Sequence, residues 1–260
     1  MNDPIIDRQT RMWSRHAADY EDVFLDPYEP GVTNPLWGAL EAIPESGTKC
    51  VVDLGCGTGP LLPYLADRYQ RVYALDFAAP MLERARARLE GPALKRTTFL
   101  QRPMHQIDDL AGRLDVAVAV NSLVMPDVRR LDRTLAAVKS GLKPGGLFLG
   151  VVPSIDAISY HLMLLVDQAL EQGLDEREAE RVSSLRLERK HYDFALGRFR
   201  FKGLKQKFWQ PFEVEYRLAK ARFKLIALEK VLYPWDETLP GGEGLGRFPP
   251  SWDWFFMARA

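Results

Sequence analysis

The chain has 260 residues, of which 47% are hydrophobic and 27% charged, with a formal net charge of +0 at pH 7. This composition supports a folded domain and provides no overall field to attract nucleic acid or an anionic membrane. Cys50 and Cys56 lack metal-ligand spacing, which argues against a zinc site and a structural disulfide. No signal peptide is evident, and the most apolar stretch, residues 147–166, is broken by Pro153 and Asp156. We therefore expect a cytoplasmic, soluble protein without a bound metal.

Two helices are predicted before the first strand. Apolar and aromatic residues recur at helical spacing over residues 7–25 and again over residues 35–43. A turn-rich link, residues 26–31, separates them. The second helix leads into the first strand.

A glycine-rich turn follows a short apolar strand at residues 51–54. Gly55, Gly57 and Gly59 have the spacing G-x-G-x-G, and a helix is predicted from Pro60, because proline is tolerated in a first helical turn. The spacing differs from the G-x-G-x-x-G of dinucleotide-binding proteins and from a P-loop. Strand, turn and helix together present backbone amides to a nucleotide-like ligand.

An acidic residue, Asp76, ends the next apolar run at residues 72–75. A carboxylate at this place can accept hydrogen bonds from both hydroxyls of a ribose. No lysine follows the glycine turn to meet a phosphate. The sequence therefore predicts a site for a ribose and a close backbone approach, without dedicated phosphate contacts.

The remaining predicted elements alternate between strand and helix through most of the chain. Helices are predicted over residues 79–89, 128–140, 155–172 and 176–190 and from residue 211, and strands over residues 97–101, 114–121, 146–152, 223–231 and 252–258, with two short strands or one bulged strand over residues 192–201. This alternation is typical of an α/β fold with a doubly wound, mostly parallel sheet.

Four motifs in chain order resemble those of class I S-adenosylmethionine (SAM)-dependent methyltransferases. They are VVDLGCGTG at residues 51–59, VYALD at residues 72–76, LDVAVAVN at residues 114–121 and LKPGG at residues 142–146. The resemblance implies a Rossmann-like, seven-stranded sheet whose last strand is antiparallel, and SAM as the cofactor. The resemblance is a strong indication of the cofactor but gives little information about the methyl acceptor.

The resemblance also divides the chain into four parts. Residues 1–47 are predicted to form N-terminal lid helices, residues 48–153 the SAM-binding core, residues 154–210 a cap insertion between strands 5 and 6, and residues 211–260 the completion of the core sheet. The insertion is far longer than a helical crossover requires. Substrate specificity is expected to lie there.

The resemblance assigns roles to residues of the crevice. It implies that Asp53 holds the glycine turn and the amino end of SAM, and that Asp76 holds the ribose. Pro103 departs from the family pattern, since relatives commonly carry an acid in this loop, which leaves the adenine to the Met104 backbone amide and to apolar contact. The predicted cofactor-binding residues are Tyr20, Asp53, Gly55, Cys56, Gly57, Gly59, Asp76, Phe77, Met81, Met104 and Asn121. For Tyr20 and Met81, ordinary helix packing is the competing interpretation.

The insertion offers two further features. Residues 181–207 contain nine basic and two acidic residues, which indicates either an anionic substrate or a solvated face balanced elsewhere. His161 is the predicted general base, chosen because its chain position places it near the end of the fifth strand. Tyr160, His191 and Tyr192 are alternatives.

These features predict methyl transfer from SAM to a small-molecule acceptor, anionic or aromatic, by a monomer or homodimer. One alternative is an RNA or protein acceptor held by the basic insertion, which the lack of an appended recognition domain disfavours. Another is a non-catalytic, methyltransferase-like regulatory module, supported only by Pro103. An NAD-dependent oxidoreductase is disfavoured by the glycine spacing.

Overall fold

The computed structural model describes residues 11, 12, 14, 25–201, 204–235 and 239–260. The predicted helix over residues 7–25, with Tyr20, lies almost wholly outside them. The described helices are α1 (Pro35–Glu41), α2 (Leu62–Arg68), α3 (Ala79–Ala87), α4 (Gly91–Arg96), α5 (Val128–Gly141), α6 (Ile155–Glu171), α7 (Glu176–Arg186) and α8 (Pro211–Lys220). The strands are β1 (Cys50–Leu54), β2 (Arg71–Asp76), β3 (Thr97–Gln101), β4 (Leu114–Val120), β5 (Leu142–Val152), β6 (Tyr192–Asp193), β7 (Arg198–Phe201), β8 (Leu204–Lys207), β9 (Lys224–Tyr233) and β10 (Ser251–Arg259).

Seven strands form one sheet in the order β3-β2-β1-β4-β5-β10-β9. Strands β1 to β5 pair in parallel, whereas β10 runs antiparallel to both β5 and β9. The predicted seven-stranded, mostly parallel, doubly wound sheet with an antiparallel last strand is confirmed.

The sheet is buried on both faces, because its central strands are apolar at nearly every position. In β1, Val52 and Leu54 belong to one core cluster and Val51 belongs to the other. Helices α5 and α8 pack on the first face, and α1, α2 and α3 pack on the second. A strand covered on both sides reads as a continuous apolar run, which is why β1 and β2 were predictable from composition.

The carboxyl ends of the parallel strands define the position of the site. β1 and β4 are neighbours, and the chain order reverses between them. Ligands of open α/β sheets bind in the crevice outside such a reversal. The glycine turn follows β1, Asp76 ends β2, and Asn121 follows β4, so the three polar features meet at one edge.

Residues 153–210 contain α6, α7 and a separate three-stranded sheet in the order β6-β7-β8. The segment is tied to the loop after β4: the Trp209 indole donates to the Leu123 carbonyl at 2.9 Å, and the Lys207 amide donates to the Val124 carbonyl at 2.7 Å. That the segment covers the crevice as a cap stays a prediction, as do the four domain boundaries. Among the described residues, no helix is long and apolar enough to cross a bilayer.

Candidate active site

The glycine turn is held in a shape that other residues adopt only with strain. Gly55, Gly57 and Gly59 have φ angles of +71°, +55° and +80°. A Cβ atom at Gly59 would lie 2.8 Å from Ala85 on α3, and one at Gly55 would lie 2.6 Å from the Ser122 Cβ atom. Gly59 therefore allows close helix packing, and Gly55 allows the turn to approach the end of β4.

Asp76 ties the glycine turn to the end of β2. Its Oδ2 atom accepts from the Gly57 amide at 3.1 Å, and its Oδ1 atom accepts from the Ala78 amide at 2.8 Å. The side chain is buried, and burial raises its pKa, although the backbone hydrogen bonds oppose that rise. A carboxylate fixed in this way is positioned to receive further donors from the crevice.

Asp53 precedes the glycine turn, and Cys56 lies within it. Burial, with a smaller contribution from the charge of Asp76, raises the pKa of Asp53 to about 7. Burial is also the main reason that the pKa of the Cys56 thiol lies well above its usual value, with the charges of Asp53 and Asp76 adding to it. Cys56 is thus a protonated packing residue rather than a nucleophile.

Two adjacent cavities open at this edge and share Gly55, Gly57 and Asn121 in their walls. The first is lined also by Leu75, Asp76, Phe77, Met81, Met104, Ser122, Val124 and Met125. The second is lined also by Leu25, Asp26, Pro27, Tyr28, Asp53, Cys56, Thr58, Pro60 and Val120. Of the predicted cofactor residues that the structure describes, all except Gly59 line one or both cavities.

The two interpretations of Met81 are compatible. Met81 is buried against Ala78 and Phe77, as a helix-core residue would be, and it also lines the first cavity. Met104 is likewise buried and contributes to the same wall. The first cavity therefore combines apolar side chains with the carboxylate of Asp76 in its wall.

Asn121 occupies the wall between the two cavities. It has a φ of +48°, and its amide donates to the Val151 carbonyl at 2.9 Å. Its Oδ1 atom is buried and accepts no hydrogen bond from the described residues. Asn121 contributes a lowering of the pKa of Tyr233, whose hydroxyl donates to Asp253 Oδ2 at 2.9 Å.

Sequence reasoning missed Tyr233 and Asp253, which are both buried. Burial is the main cause that raises the pKa of Asp253 to about 6 and the pKa of Tyr233 well above its usual value. The one available signal was an acid within the aromatic run SWDWFF of the last strand. A charged residue in such a strand needs a buried partner.

His161 lies elsewhere. Its side chain is buried on α6, with its ring centroid 4.9 Å from that of Trp235. Burial lowers its pKa. No residue of α6 lines either cavity in the described part of the chain. The structure does not bring His161 together with the other predicted residues, and its role as a general base stays a prediction.

The basic stretch of the insertion is partly neutralised by its own surroundings. Lys207 is buried and forms an ion pair with Glu213, and it also donates to the Leu196 carbonyl at 3.1 Å. Arg181 pairs with Glu178 on the same helix at 2.6 Å. The described residues of the insertion contribute nothing to the walls of the two cavities.

The sheet order, the glycine turn and the acid at the end of β2 define the class I SAM-dependent methyltransferase fold. A family model described as "Methyltransferase domain" matches residues 51–146. The matched residues include the glycine turn, Asp76 and Asn121.

Two curated relatives are similar over different lengths. Chondramide synthase of Chondromyces crocatus is 29% identical over 253 residues, which is 94% of this chain and 6% of that protein. Trans-aconitate 2-methyltransferase of Deinococcus radiodurans is 36% identical over 125 residues, 47% of this chain and 45% of that protein. The chain spans less than half the length of each.

A solved structure shares the fold at low sequence identity. The 1,6-didemethyltoxoflavin-N1-methyltransferase of Burkholderia thailandensis, with bound 1,6-didemethyltoxoflavin and S-adenosylhomocysteine, is 18% identical with a TM-score of 0.62. The similarity covers 100% of this chain and 91% of that one.

Proposed function

We propose that the protein transfers a methyl group from SAM to a small-molecule acceptor. The observation that carries the proposal is the pair of cavities that meet at Gly57 and Asn121, with Asp76 in one wall and Asp53 in the other. SAM has a polar adenosine end and a polar amino-acid end on either side of its sulfonium, and each of the two cavities has a carboxylate in its wall.

The residues present fit this cofactor. A Cβ atom at Gly57 would meet nothing within 4 Å, so the turn leaves room for a ligand against the backbone. The buried Asn121 Oδ1 atom lacks a donor among the described residues, as expected of an acceptor that a ligand satisfies. Asp76 would hold the ribose, Phe77, Met81 and Met104 would contact the adenosine, and Asp53 would face the amino-acid end.

SAM supplies a methyl group that is already activated by its sulfonium. The chain therefore needs to hold the acceptor in line with that group and to keep water out. Val124 and Met125 give the first cavity apolar walls for this purpose. Because His161 packs away from both cavities, we assign the described residues roles in binding, orientation and exclusion of water.

A small acceptor is favoured over RNA or protein. Lys207 and Arg181 in the basic stretch are paired with acids, and the described insertion residues do not line the cavities. Two proteins similar to this chain have names that specify small molecules, trans-aconitate and 1,6-didemethyltoxoflavin. Small carboxylic acids and nitrogen heterocycles are therefore the first acceptors to test.

Calorimetric titration of SAM and S-adenosylhomocysteine tests the cofactor. We expect both to bind the wild-type protein, and Asp76→Asn to weaken both about tenfold or more, because charge-assisted hydrogen bonds contribute about 1.5–3 kcal/mol each. Asp115→Asn is the matched control, since Asp115 also accepts from a backbone amide, that of Cys50, and does not line the cavities.

Absence of binding to the wild-type protein would overturn the proposal, and equal binding by Asp76→Asn would overturn the role of Asp76. Once binding is established, release of S-adenosylhomocysteine in the presence of each acceptor tests transfer. We expect turnover with small molecules and none with RNA. Turnover with RNA alone would replace the proposed acceptor class.

A further inference from the structure

A third cavity lies at the amino ends of β1 and β2, opposite the edge that contains the glycine turn. The residues that line this amino-end cavity are Cys50, Gln70, Arg71, Tyr73 and Arg113. Its volume of about 340 Å³ is sufficient for a small ligand. Arg71 begins β2 and Asp76 ends it, so roughly 16 Å of strand, at about 3.3 Å per residue, separates the cavity from the acid assigned to the ribose.

The connection from β3 to β4 leaves the amino ends of the strands open. Over residues 102–113 it contains a 3₁₀ turn, Asp108–Leu110, whereas the crossovers on either side of it contain α-helices. Cys50 pairs with Arg71 across β1 and β2, and Tyr73 is two residues further along β2, so the three side chains share one face of the sheet. They therefore lie beside a loop rather than under a helix.

Tyr73 provides a buried polar group in the cavity wall. The residue is 6% exposed and its side chain belongs to the first core cluster, yet its hydroxyl forms no hydrogen bond with a described residue. The hydroxyl is the one polar group of this side chain, and Tyr73 lines the cavity. A buried hydroxyl without a partner is expected where a ligand supplies the missing hydrogen bond.

Two guanidinium groups give the cavity its positive charge. Arg71 is exposed, and its side chain forms no ion pair or hydrogen bond within the described part of the chain. The Arg113 side chain donates to the exposed Asp109 carbonyl at 3.3 Å and pairs with no carboxylate among the described residues. Both groups are therefore available to an anion.

The acids beside the cavity are already paired with other bases. Asp109, whose charge interacts with that of Arg113, forms an ion pair with Arg102 at 2.8 Å. Asp115, which accepts from the Cys50 amide, forms an ion pair with Lys143 at 2.8 Å. Neither acid lines the cavity, so its wall has two positive charges and no negative one.

We propose that the amino-end cavity is a second ligand site, which binds the phosphate or carboxylate group of a small molecule between Arg71 and Arg113. Guanidinium groups match the oxygen pairs of both anions, and the Tyr73 hydroxyl adds a neutral donor. The cavity shares no lining residue with the two cavities of the candidate active site. The inference is therefore independent of the proposed function.

The thiol of Cys50 reports whether the cavity is occupied. Cys50 lines it and is partly exposed, whereas Cys56 is buried. Alkylation by iodoacetamide, followed by peptide mass spectrometry, measures the reactivity of each thiol separately. We expect inorganic phosphate or succinate to slow alkylation of Cys50 at least fivefold at saturation, relative to sodium chloride of equal ionic strength. The two anions distinguish a phosphate ligand from a carboxylate ligand.

Three variants test the wall of the cavity, with protection expressed as a ratio within each variant. Arg71→Gln should raise the anion concentration that gives half protection about tenfold, because a charge-assisted hydrogen bond is lost. Tyr73→Phe should raise it at least threefold, because the ring stays and the donor is removed. Arg133→Gln is the matched control and should change nothing, since Arg133 is an exposed arginine of α5 outside the cavity and without a partner among the described residues.

The outcomes are distinct from those of the cofactor titration. Protection by either anion that Arg71→Gln weakens supports the site and identifies the class of its ligand. No protection, or equal slowing by chloride, would overturn the proposal, as would full protection of Arg71→Gln. Because Arg71 is exposed, that test holds even if Tyr73→Phe does not fold. Failure of S-adenosylhomocysteine to bind would overturn the proposed function and leave this inference standing.

Discussion

Replacement of Gly57 by alanine tests two effects, the loss of space for a ligand in the crevice and the backbone strain in the turn. Gly57 has a φ of +55°, lines both cavities and has no atom within 4 Å of the position that a Cβ atom would take. Gly112 has a φ of +63° and the same open surroundings, and it lies in the turn before β4, outside both cavities. Gly57→Ala and Gly112→Ala therefore impose the same kind of backbone strain at different sites.

The expected magnitudes differ for stability and for binding. Placing a residue with a Cβ atom in the left-handed region costs about 1–2 kcal/mol, and neither methyl group clashes, so both variants should lose about that amount of unfolding free energy. Only the methyl group at position 57 lies where the ligand is proposed to contact the protein backbone. Its affinity for S-adenosylhomocysteine should fall about tenfold or more, which corresponds to about 1.4 kcal/mol.

Urea denaturation measures the first quantity and calorimetry the second. The reasoning requires similar stability losses for the two variants and a loss of affinity for Gly57→Ala alone. If Gly57→Ala binds S-adenosylhomocysteine as wild-type protein does, the ligand does not approach this backbone. If Gly57→Ala is far less stable than Gly112→Ala, the glycine turn is packed more tightly than the open space around the Gly57 Cβ position indicates.

Two further predictions concern Asp53 and Trp209. The pKa of Asp53 is raised to about 7, so its carboxyl group ionises as the pH passes through that value, and affinity for the cationic amino end of S-adenosylhomocysteine should rise from about pH 6 to about pH 7.5. Calorimetry across this range should show a flat profile for Asp53→Asn, and the same rise in that variant would contradict the assignment. Trp209→Phe leaves the buried Leu123 carbonyl without its donor and should lower the unfolding free energy by about 1–3 kcal/mol in urea denaturation. Trp235→Phe, which loses a hydrogen bond to the exposed Pro249 carbonyl, should lose less, and equal losses would show that burial does not set the cost.

The sheet was predictable because its strands carry a strong local signal. β1 and β2 are mostly apolar, and β3 and the helix after β4 have the expected bounds to within one residue. Two elements were not predicted. α4 is short and contains glycine and proline, and the sequence LKQK of β8 is a strand only because β7 pairs with it.

The lining of the candidate site could be predicted in part, because two neighbouring motifs contain several of the residues that meet there. The glycine turn and Asp76 occupy adjacent segments, and the resemblance supplied their roles. Tyr233 and Asp253 are 20 residues apart and meet through the pairing of β9 with β10, which no local pattern specifies. His161 is close to the end of β5 in sequence, but the direction of α6 carries its side chain against Trp235.

The position of β10 between β5 and β9 has a consequence for synthesis of the chain. One side of β5 is paired with β4, and the other is completed only by residues 251–259, so about one hundred residues separate Val152 from its partner strand. Translation adds roughly 5–20 residues per second, so the apolar edge of β5 stays unpaired for about 5–20 s during synthesis. An open, apolar strand edge is a template for pairing with other chains. The nascent polypeptide, rather than the finished protein, is therefore the state in which this sheet is most exposed to aggregation.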